Sequence, residues 1–413
     1  MKYLLLLGDG MADYPLEALE GRTPLDVAAT PAMDAVAQRG VSALFSPIPE
    51  GYPPGSDVGN LAVFGYNPAE FYTGRAPLEA ANQGIEVGPD EVVFRCNLVT
   101  LEDGAMANFT AGHIRSAEGA ELIDALNRAL DDLPVTFHPG VSYRHLAVVK
   151  VSGGELSRLL EVKCTPPHDI SDQPVADYLP GGESGSVLRA IMERSQSVLE
   201  GHSVNSARVA AGELPANSVW LWGQGVSPAL PSYAERFGLS GAVISAVDLV
   251  KGIGRVAGLE VLDVPGATGY LDTNYAGKVE AAIGALERRD FVYLHVEAPD
   301  ETAHQGREDL KIQAIEDFDR HVVMPLLDYA QRQKEARILV APDHITAIST
   351  RTHAGGPVPF AMCGTGIGAN GAGRYCETEA ERFGVLFPEG HRLLPFWLTT
   401  PVIDADALAG VGV

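Results

Sequence analysis

Tyr3-Leu4-Leu5-Leu6-Leu7-Gly8-Asp9 is an apolar run that stops at an aspartate. The pattern returns twice. Phe291-Val292-Tyr293-Leu294-His295-Val296 leads to Asp300 and, four residues on, His304. Arg337-Ile338-Leu339-Val340-Ala341-Pro342 leads to Asp343-His344 and then His353. Unbroken apolar runs of this length read as strands buried on both faces, as in a parallel sheet. In an open parallel sheet, ligands bind outside the carboxyl ends of the strands. The three strands therefore bring three carboxylates and three imidazoles to one sheet edge. That inventory suits divalent cations, two of them, better than a structural purpose. The plain alternative is that each aspartate caps the next helix. Three such strand ends, two with histidine close behind, weigh against it.

The chain has 413 residues and a formal net charge of −24. Its length allows two ordinary domains and a substantial core. Its acidity would repel a nucleic-acid backbone, and no basic run offsets it. Cys96, Cys164, Cys363 and Cys376 form no Cys-x-x-Cys pair and are expected to be reduced and mostly buried. The first apolar run is shorter than the roughly 7–15 residues of a secretory signal core. No stretch approaches the ~20 apolar residues of a membrane span. The expectation is a cytoplasmic enzyme with neither a nucleic-acid nor a membrane partner.

Apolar strands alternate with helical patterns, which is the α/β signature. Thr30-Pro31 opens a helix with proline at its first position. Residues 280–288 and 311–329 also have helical spacing. Pro47 to Gly59 reads as a loop from its proline and glycine content, and Pro166-Pro167 and Pro180-Gly181-Gly182 are further breaks. The metal-type residues lie before residue 60 and after residue 299. The simplest architecture is one α/β domain built from 1–72 and 223–413, with a second domain inserted over 73–222. No internal repeat or low-complexity segment is evident.

Asp300-x-x-x-His304 places a carboxylate and an imidazole one helical turn apart. Oxygen and nitrogen ligands without thiolate suit Mn²⁺, Zn²⁺ or Mg²⁺, and three histidines favour the first two. Ser56 lies in Gly51-Tyr52-Pro53-Pro54-Gly55-Ser56-Asp57-Val58-Gly59-Asn60. Most serines in such loops are turn residues, but a hydroxyl beside a metal can become a nucleophile. Gly366-Ile367-Gly368-Ala369-Asn370-Gly371 matches Gly-x-Gly-x-x-Gly without a following βαβ unit, so a surface loop is expected. His295, within a strand, is expected to be core. His138, His145, His321 and His391 have no evident partners.

Read together, Gly8-Asp9-Gly10, Gly55-Ser56-Asp57-Val58-Gly59-Asn60, Asp300-Glu301-Thr302-Ala303-His304, Pro342-Asp343-His344 and His353 with Pro357-Val358-Pro359 resemble the cofactor-independent phosphoglycerate mutases. The likeness is to their shorter, archaeal-type branch. Gly74-Arg75-Ala76-Pro77-Leu78-Glu79-Ala80, Phe94-Arg95-Cys96-Asn97-Leu98-Val99-Thr100, Trp220-Leu221-Trp222-Gly223-Gln224-Gly225 and Asp248-Leu249-Val250-Lys251-Gly252 fit the same branch, in order along nearly the whole chain.

The resemblance implies an alkaline-phosphatase-like, doubly wound and mostly parallel sheet with a smaller inserted α/β or α+β domain. It implies interconversion of 3- and 2-phosphoglycerate, a step of glycolysis and gluconeogenesis, without bisphosphoglycerate. Asp300, His304 and His353 would hold one divalent ion. Asp9, Asp343 and His344 would hold the other, with Ser56 as ligand and nucleophile. Mn²⁺ comes first, with Zn²⁺, Co²⁺ or Mg²⁺ as alternatives. His113, Arg144 and Arg208 from the insert, and Lys251, would bind the small phosphorylated carboxylic acid. Two departures touch this site: Asp343-His344-Ile345-Thr346-Ala347 replaces the family's usual Asp-His-Ser/Pro-Thr-Pro, and Gly355-Gly356 replaces an acidic residue before Pro-Val-Pro. The alternatives are a metal-dependent phosphatase or other phosphomutase on the same scaffold, or a non-catalytic protein stabilised by metals.

Overall fold

The Lys2–Gly8 strand sits inside an eight-stranded sheet, and Leu4, Leu5, Leu6 and Leu7 are fully buried there. Along the sheet the strands run Leu386–Phe387, Val41–Phe45, Val358–Gly364, Ala336–Ala341, Lys2–Gly8, Phe291–Val296, Gly241–Ile244 and Glu260–Val261. Val358–Gly364 is antiparallel to both its neighbours, and every other pairing is parallel. Two-sided burial explains the unbroken apolar runs, because a parallel strand covered on both faces has no solvent side to mark with polar residues. Leu7 is in register with both His295 and Ala341, so Asp9, Asp300 and Asp343 follow the carboxyl ends of three adjacent strands.

This computed structural model describes residues 1–152 and 154–411. The chain separates into two units, Met1–Tyr72 with Ala229–Val413, and Thr73–Pro228. A boundary at 222 would cut the Ser218–Gly225 strand, whose residues pair with Glu91–Glu102 inside the second unit. The second unit therefore extends to residue 228.

Helices of the first unit pack on its sheet. The helix expected at Thr30 spans Pro31–Arg39, and that expected over 280–288 spans Tyr275–Leu286. The pattern over 311–329 is three elements: Glu308–Phe318, a π-helical turn at Asp319–Val323, and Met324–Arg332. Two local facts account for the turn. Pro325 has no N–H to give the helix ladder. Asp319 accepts from the N–H groups of Ala32 and Met33, at 3.1 and 2.7 Å, and so caps the Pro31–Arg39 helix.

One expectation is corrected. Pro47 to Gly59 is not all loop, because a helix spans Ser56–Val63. Gly59 lies inside it for a packing reason: a Cβ there would come within 2.4 Å of the Asp343 carbonyl oxygen. The 366–371 glycine motif is surface loop, as expected.

The second unit is built on an antiparallel sheet, in the order Ala105–Asn108, Glu91–Glu102, Arg144–Lys150 and Val135–His138, with Ser218–Gly225 also on Glu91–Glu102. It is thus of the α+β kind. Phe94, Cys96 and Leu98 join a core with Leu122, Ile123 and Leu126 of the Ser116–Ala129 helix and Leu188, Ile191 and Leu199 of the Ser186–Glu200 helix. Val93, Leu146 and Val148 pack instead on Ala76 and Ala80 of the Ala76–Asn82 helix.

Candidate active site and metal centre

Six Asp and His side chains converge at the carboxyl edge of the first unit's sheet. Asp9, Asp343 and His344 offer ligand atoms within 4.8 Å of one another, and so do Asp300, His344 and His353. His344 belongs to both groups. His304 joins the second, with Nε2 3.2 Å from Asp300 Oδ2 and 3.0 Å from His353 Nε2. Asp300 and His304 stand one turn apart on the helix Ala298–His304. His353 comes from the Ile345–Ala347/Thr352–Ala354 hairpin that follows Asp343-His344. Gly10 follows Asp9 with a φ of 56°, and its N–H donates to Asp343 Oδ1 at 3.1 Å.

Ser56 is the first residue of its helix, and its Oγ lies 3.1 Å from His344 Nε2. The aligned N–H groups of a helix start favour negative charge at that position. Asn60, one turn on, donates to Asp343 Oδ2 at 2.6 Å and accepts from the Tyr293 hydroxyl at 2.7 Å. Tyr72 donates to Asp57 at 2.5 Å.

The electrostatics describe a site short of positive charge. Burial, and then the Asp343, Asp300 and Glu297 carboxylates, push the Asp9 carboxyl well above the usual range. Burial raises Asp343 as well. Burial works in the same direction on Asp300, but contacts with His304 and His353 overcome it and hold Asp300 well below normal. Asp300 raises His304 to about 9. Burial lowers His344. Asp9 Oδ1 is buried with no hydrogen-bond partner, while Asp9 Oδ2 accepts from His295 Nε2 at 2.9 Å. A buried carboxylate oxygen without a partner is costly. A cation would satisfy it, and the donor set of carboxylate oxygen and imidazole nitrogen suits a borderline divalent ion. The residues present fit such ions.

The four residues expected to bind substrate have different settings. Lys251, on the Asp248–Val256 helix of the first unit, pairs with Asp263 at 2.7 Å. In the second unit His113 is exposed, with a φ of 53° and its ring edge-on to Tyr143. Arg144 is exposed over the same Tyr143 ring. Arg208 departs from the expectation. It is 3% exposed, donates to Glu118 at 2.7 Å and to the Leu214 and Ala111 carbonyls, and forms an ion pair with Glu213 at 3.0 Å. Two carboxylates neutralise it and two carbonyls fill its fork, which is a structural cross-link.

Several residues of both units were missed. His295 is buried as expected but bridges Asp9 and Ser245 Oγ, the latter at 3.1 Å. A histidine in an otherwise apolar strand was its signal. In the second unit Glu79 sits between Arg75 and Arg95, at 3.0 and 3.1 Å. The Arg95 guanidinium stacks 4.2 Å over Trp222, whose other ring neighbour is His168 at 5.3 Å. Trp222 Nε1 donates to Asn97 Oδ1, and Asn97 is in register with Arg144. Burial pushes His168 down, with Arg95 and Arg75 adding to the effect. Two guanidiniums on one carboxylate, with Arg144 close by in the sheet, are unusual in so acidic a chain. The arginine inside Phe94-Arg95-Cys96 was the available clue.

A family model described as 2,3-bisphosphoglycerate-independent phosphoglycerate mutase matches residues 37–205. A protein of that name from Methanosarcina acetivorans is 52% identical over 93% of this chain and 96% of its own length. A probable one from Geobacter sulfurreducens is 50% identical over 96% and 100%. A solved structure from Pyrococcus horikoshii superposes with a TM-score of 0.81 at 30% identity, covering 99% of this chain and 97% of its own. The cofactor-independent phosphoglycerate mutase of Thermoplasma acidophilum superposes with a TM-score of 0.65 at 28% identity, covering 97% and 100%. With half its residues shared with such relatives end to end, the chain belongs to the 2,3-bisphosphoglycerate-independent phosphoglycerate mutase family.

Proposed function

We infer that the chain interconverts 3-phosphoglycerate and 2-phosphoglycerate through a phosphoserine at Ser56, with two divalent ions, Mn²⁺ first, held by Asp9, Asp343 and His344 and by Asp300, His304 and His353. The observation that carries this reading is the Ser56 hydroxyl at a helix start, 3.1 Å from the one histidine common to both ligand groups. Ions bound there would lower the pKa of the Ser56 hydroxyl and offset charge on the phosphoryl oxygens.

The chain's own groups account for the rest. Ser56 Oγ bonds to phosphorus as the bond to one glycerate oxygen breaks, and that oxygen leaves as a hydroxyl carrying the proton given up by serine. The other glycerate hydroxyl then attacks phospho-Ser56, its proton returning to Ser56 Oγ. The helix start favours the phosphoserine charge. Arg95 and Arg144 suit the glycerate carboxylate, since a guanidinium fork binds carboxylate bidentately, and Lys251 and His113 are assigned as further anion contacts. Arg208 is given no part in binding. The four cysteines are free, in keeping with a cytoplasmic enzyme.

Phosphorus NMR of the Mn²⁺-loaded protein with 3-phosphoglycerate tests the reading. It requires 2-phosphoglycerate to appear without added bisphosphoglycerate. Free phosphate as the sole product would make the protein a phosphatase.

A further inference from the structure

We propose that Thr346 is a positioning residue that fixes which nitrogen of His344 carries the proton, and that the buried ammonium of Lys311 holds Thr346 in place to do so. The inference rests on the reading of Asp300 and His344 as ion ligands. Thr346 lies in the Ile345–Ala347 strand and is fully buried. Its Oγ1 is 2.5 Å from Asp300 Oδ1 and 3.1 Å from His344 Nδ1.

Proton accounting decides the direction of both bonds. A threonine hydroxyl has one proton, and a carboxylate has none to give. The hydroxyl therefore donates to Asp300. Its remaining contact is attractive only if Nδ1–H of His344 donates to it, since a bare Nδ1 would set lone pair against lone pair. The Nε2 lone pair then faces Ser56 Oγ at 3.1 Å, Asp9 Oδ1 at 3.3 Å and Asp343 Oδ2 at 3.4 Å. That is the nitrogen an ion among those groups requires. One hydroxyl thus orients a ligand from each of two strand ends, the kind of outer support that tunes metal affinity.

Lys311 explains why Thr346 stays put. Its Nζ is fully buried and donates to the Thr346 carbonyl at 2.7 Å, the Ala12 carbonyl at 3.0 Å and Asp13 Oδ2 at 2.9 Å. All three donors of the ammonium are used. Asp13 Oδ2 also accepts from Ile348 N–H at 3.2 Å, which closes the clamp. The segments after Asp9 and after His344 are so tied to one point on the Glu308–Phe318 helix. Gly10 leaves the room: a Cβ there would sit 2.3 Å from Thr346 Oγ1. A buried ammonium is expensive, and an apolar residue would pack this helix as well. Holding two loops in register for a hydroxyl gives it a purpose.

Nitrogen NMR of the metal-free full chain, labelled at histidine, reads the tautomer directly. Wild type should show His344 protonated at Nδ1 and bare at Nε2. The near-isosteric Thr346→Val should lose that preference and weaken Mn²⁺ binding, measured by calorimetry, by about 10–100-fold. Thr346→Ser should restore both, and Lys311→Met should shift both in the direction of Thr346→Val. An Nε2–H tautomer in wild type overturns the proposal whatever the variants do, so it stands open to refutation even if Thr346→Val fails to fold. An unchanged tautomer with unchanged affinity in folded Thr346→Val overturns it too. Wild type that binds no divalent ion would overturn the proposed function instead, and the tautomer of the metal-free chain would still decide the role of Thr346.

Discussion

The two units gather opposite charges by different means. In the first, Asp9, Asp343 and Asp300 are at most 5% exposed, and Asp9 Oδ1 has no partner. In the second, Glu79 pairs with Arg75 and Arg95, and Arg95 and Arg144 lie over Trp222 and Tyr143. The first arrangement suits a cation, whose charge would offset the buried carboxylates. The second is balanced within itself, because Arg95 is buried against Trp222 and paired with Glu79, while Arg144 stays exposed beside Tyr143. The lesson concerns stability as much as binding: carboxylates suited to a cation are stored as destabilising buried charge, whereas guanidiniums suited to an anion are stored paired with a carboxylate or exposed beside an aromatic ring.

The sharpest way to break this contrast is at Ser56. Ser56→Ala should abolish the mutase reaction, by at least about a thousandfold, since no other group can carry the phosphoryl. The fold should be unaffected, as one hydroxyl at a helix start is lost. Mass spectrometry of a quenched reaction should find phosphoserine in wild type and none in the variant. Mutase activity within about tenfold of wild type would remove the covalent route.

Asp9→Asn comes next and separates function from stability. It should reduce activity by about 10²–10⁴-fold through lost ion binding. The metal-free variant should melt no lower than metal-free wild type, because a strained buried carboxylate has been neutralised while an oxygen still accepts from His295. Calorimetric scans with and without chelator check this. A large loss of stability in the metal-free variant would mean that Asp9 is structural.

The insert offers a matched pair. Arg208→Met should destabilise the second unit by about 2 kcal/mol, because it leaves the Leu214 and Ala111 carbonyls without their donor. Arg144→Gln, at an exposed position, should leave the fold intact and raise KM for 3-phosphoglycerate by about 10–100-fold. The reverse pattern, with Arg208 affecting only KM, would restore Arg208 as a binding residue.

These pairs also show what was legible beforehand. Buried parallel strands spell themselves out as apolar runs, and each of the three delivers its ligands directly after it, so the sheet and six Asp and His residues could be read from sequence. Ser56 was found as a residue but its helix was not, because Gly55 and Gly59 imitate a loop. Gly59 is there only to clear the Asp343 carbonyl, a contact nearly three hundred residues away in sequence. Thr346 and Lys311 were invisible for the same reason, since nothing local marks a side chain that works by holding another. Arg208 reads differently in the structure because a basic residue in a binding domain looks alike in sequence whether it faces a ligand or two glutamates. The insert runs to residue 228 rather than 222, because Ser218–Gly225 pairs with Glu91–Glu102, a partner more than a hundred residues away that no local pattern marks.

The smallest expected effect concerns pH and sharpens the idea of a centre awaiting a cation. Without metal, Asp300 raises His304 to about 9, above the ordinary imidazole value of 6.5. A group whose folded-state value is raised stabilises the fold fully below its unfolded value, and that contribution is lost as pH rises through the folded value. The metal-free protein should therefore lose stability between roughly pH 6.5 and 9, modestly because His304 is partly exposed. His304 Nδ1 donates to the Arg351 carbonyl at 2.9 Å, so the proton that an ion must displace is the one on Nε2. Ion binding near pH 7.5 should then release about one proton from this group. Calorimetry in buffers of different ionisation enthalpy counts it directly. His304→Gln should abolish the release and flatten the pH dependence of the metal-free melting temperature. A proton count that His304→Gln leaves unchanged would assign the titration elsewhere and remove His304 from the ion's ligands.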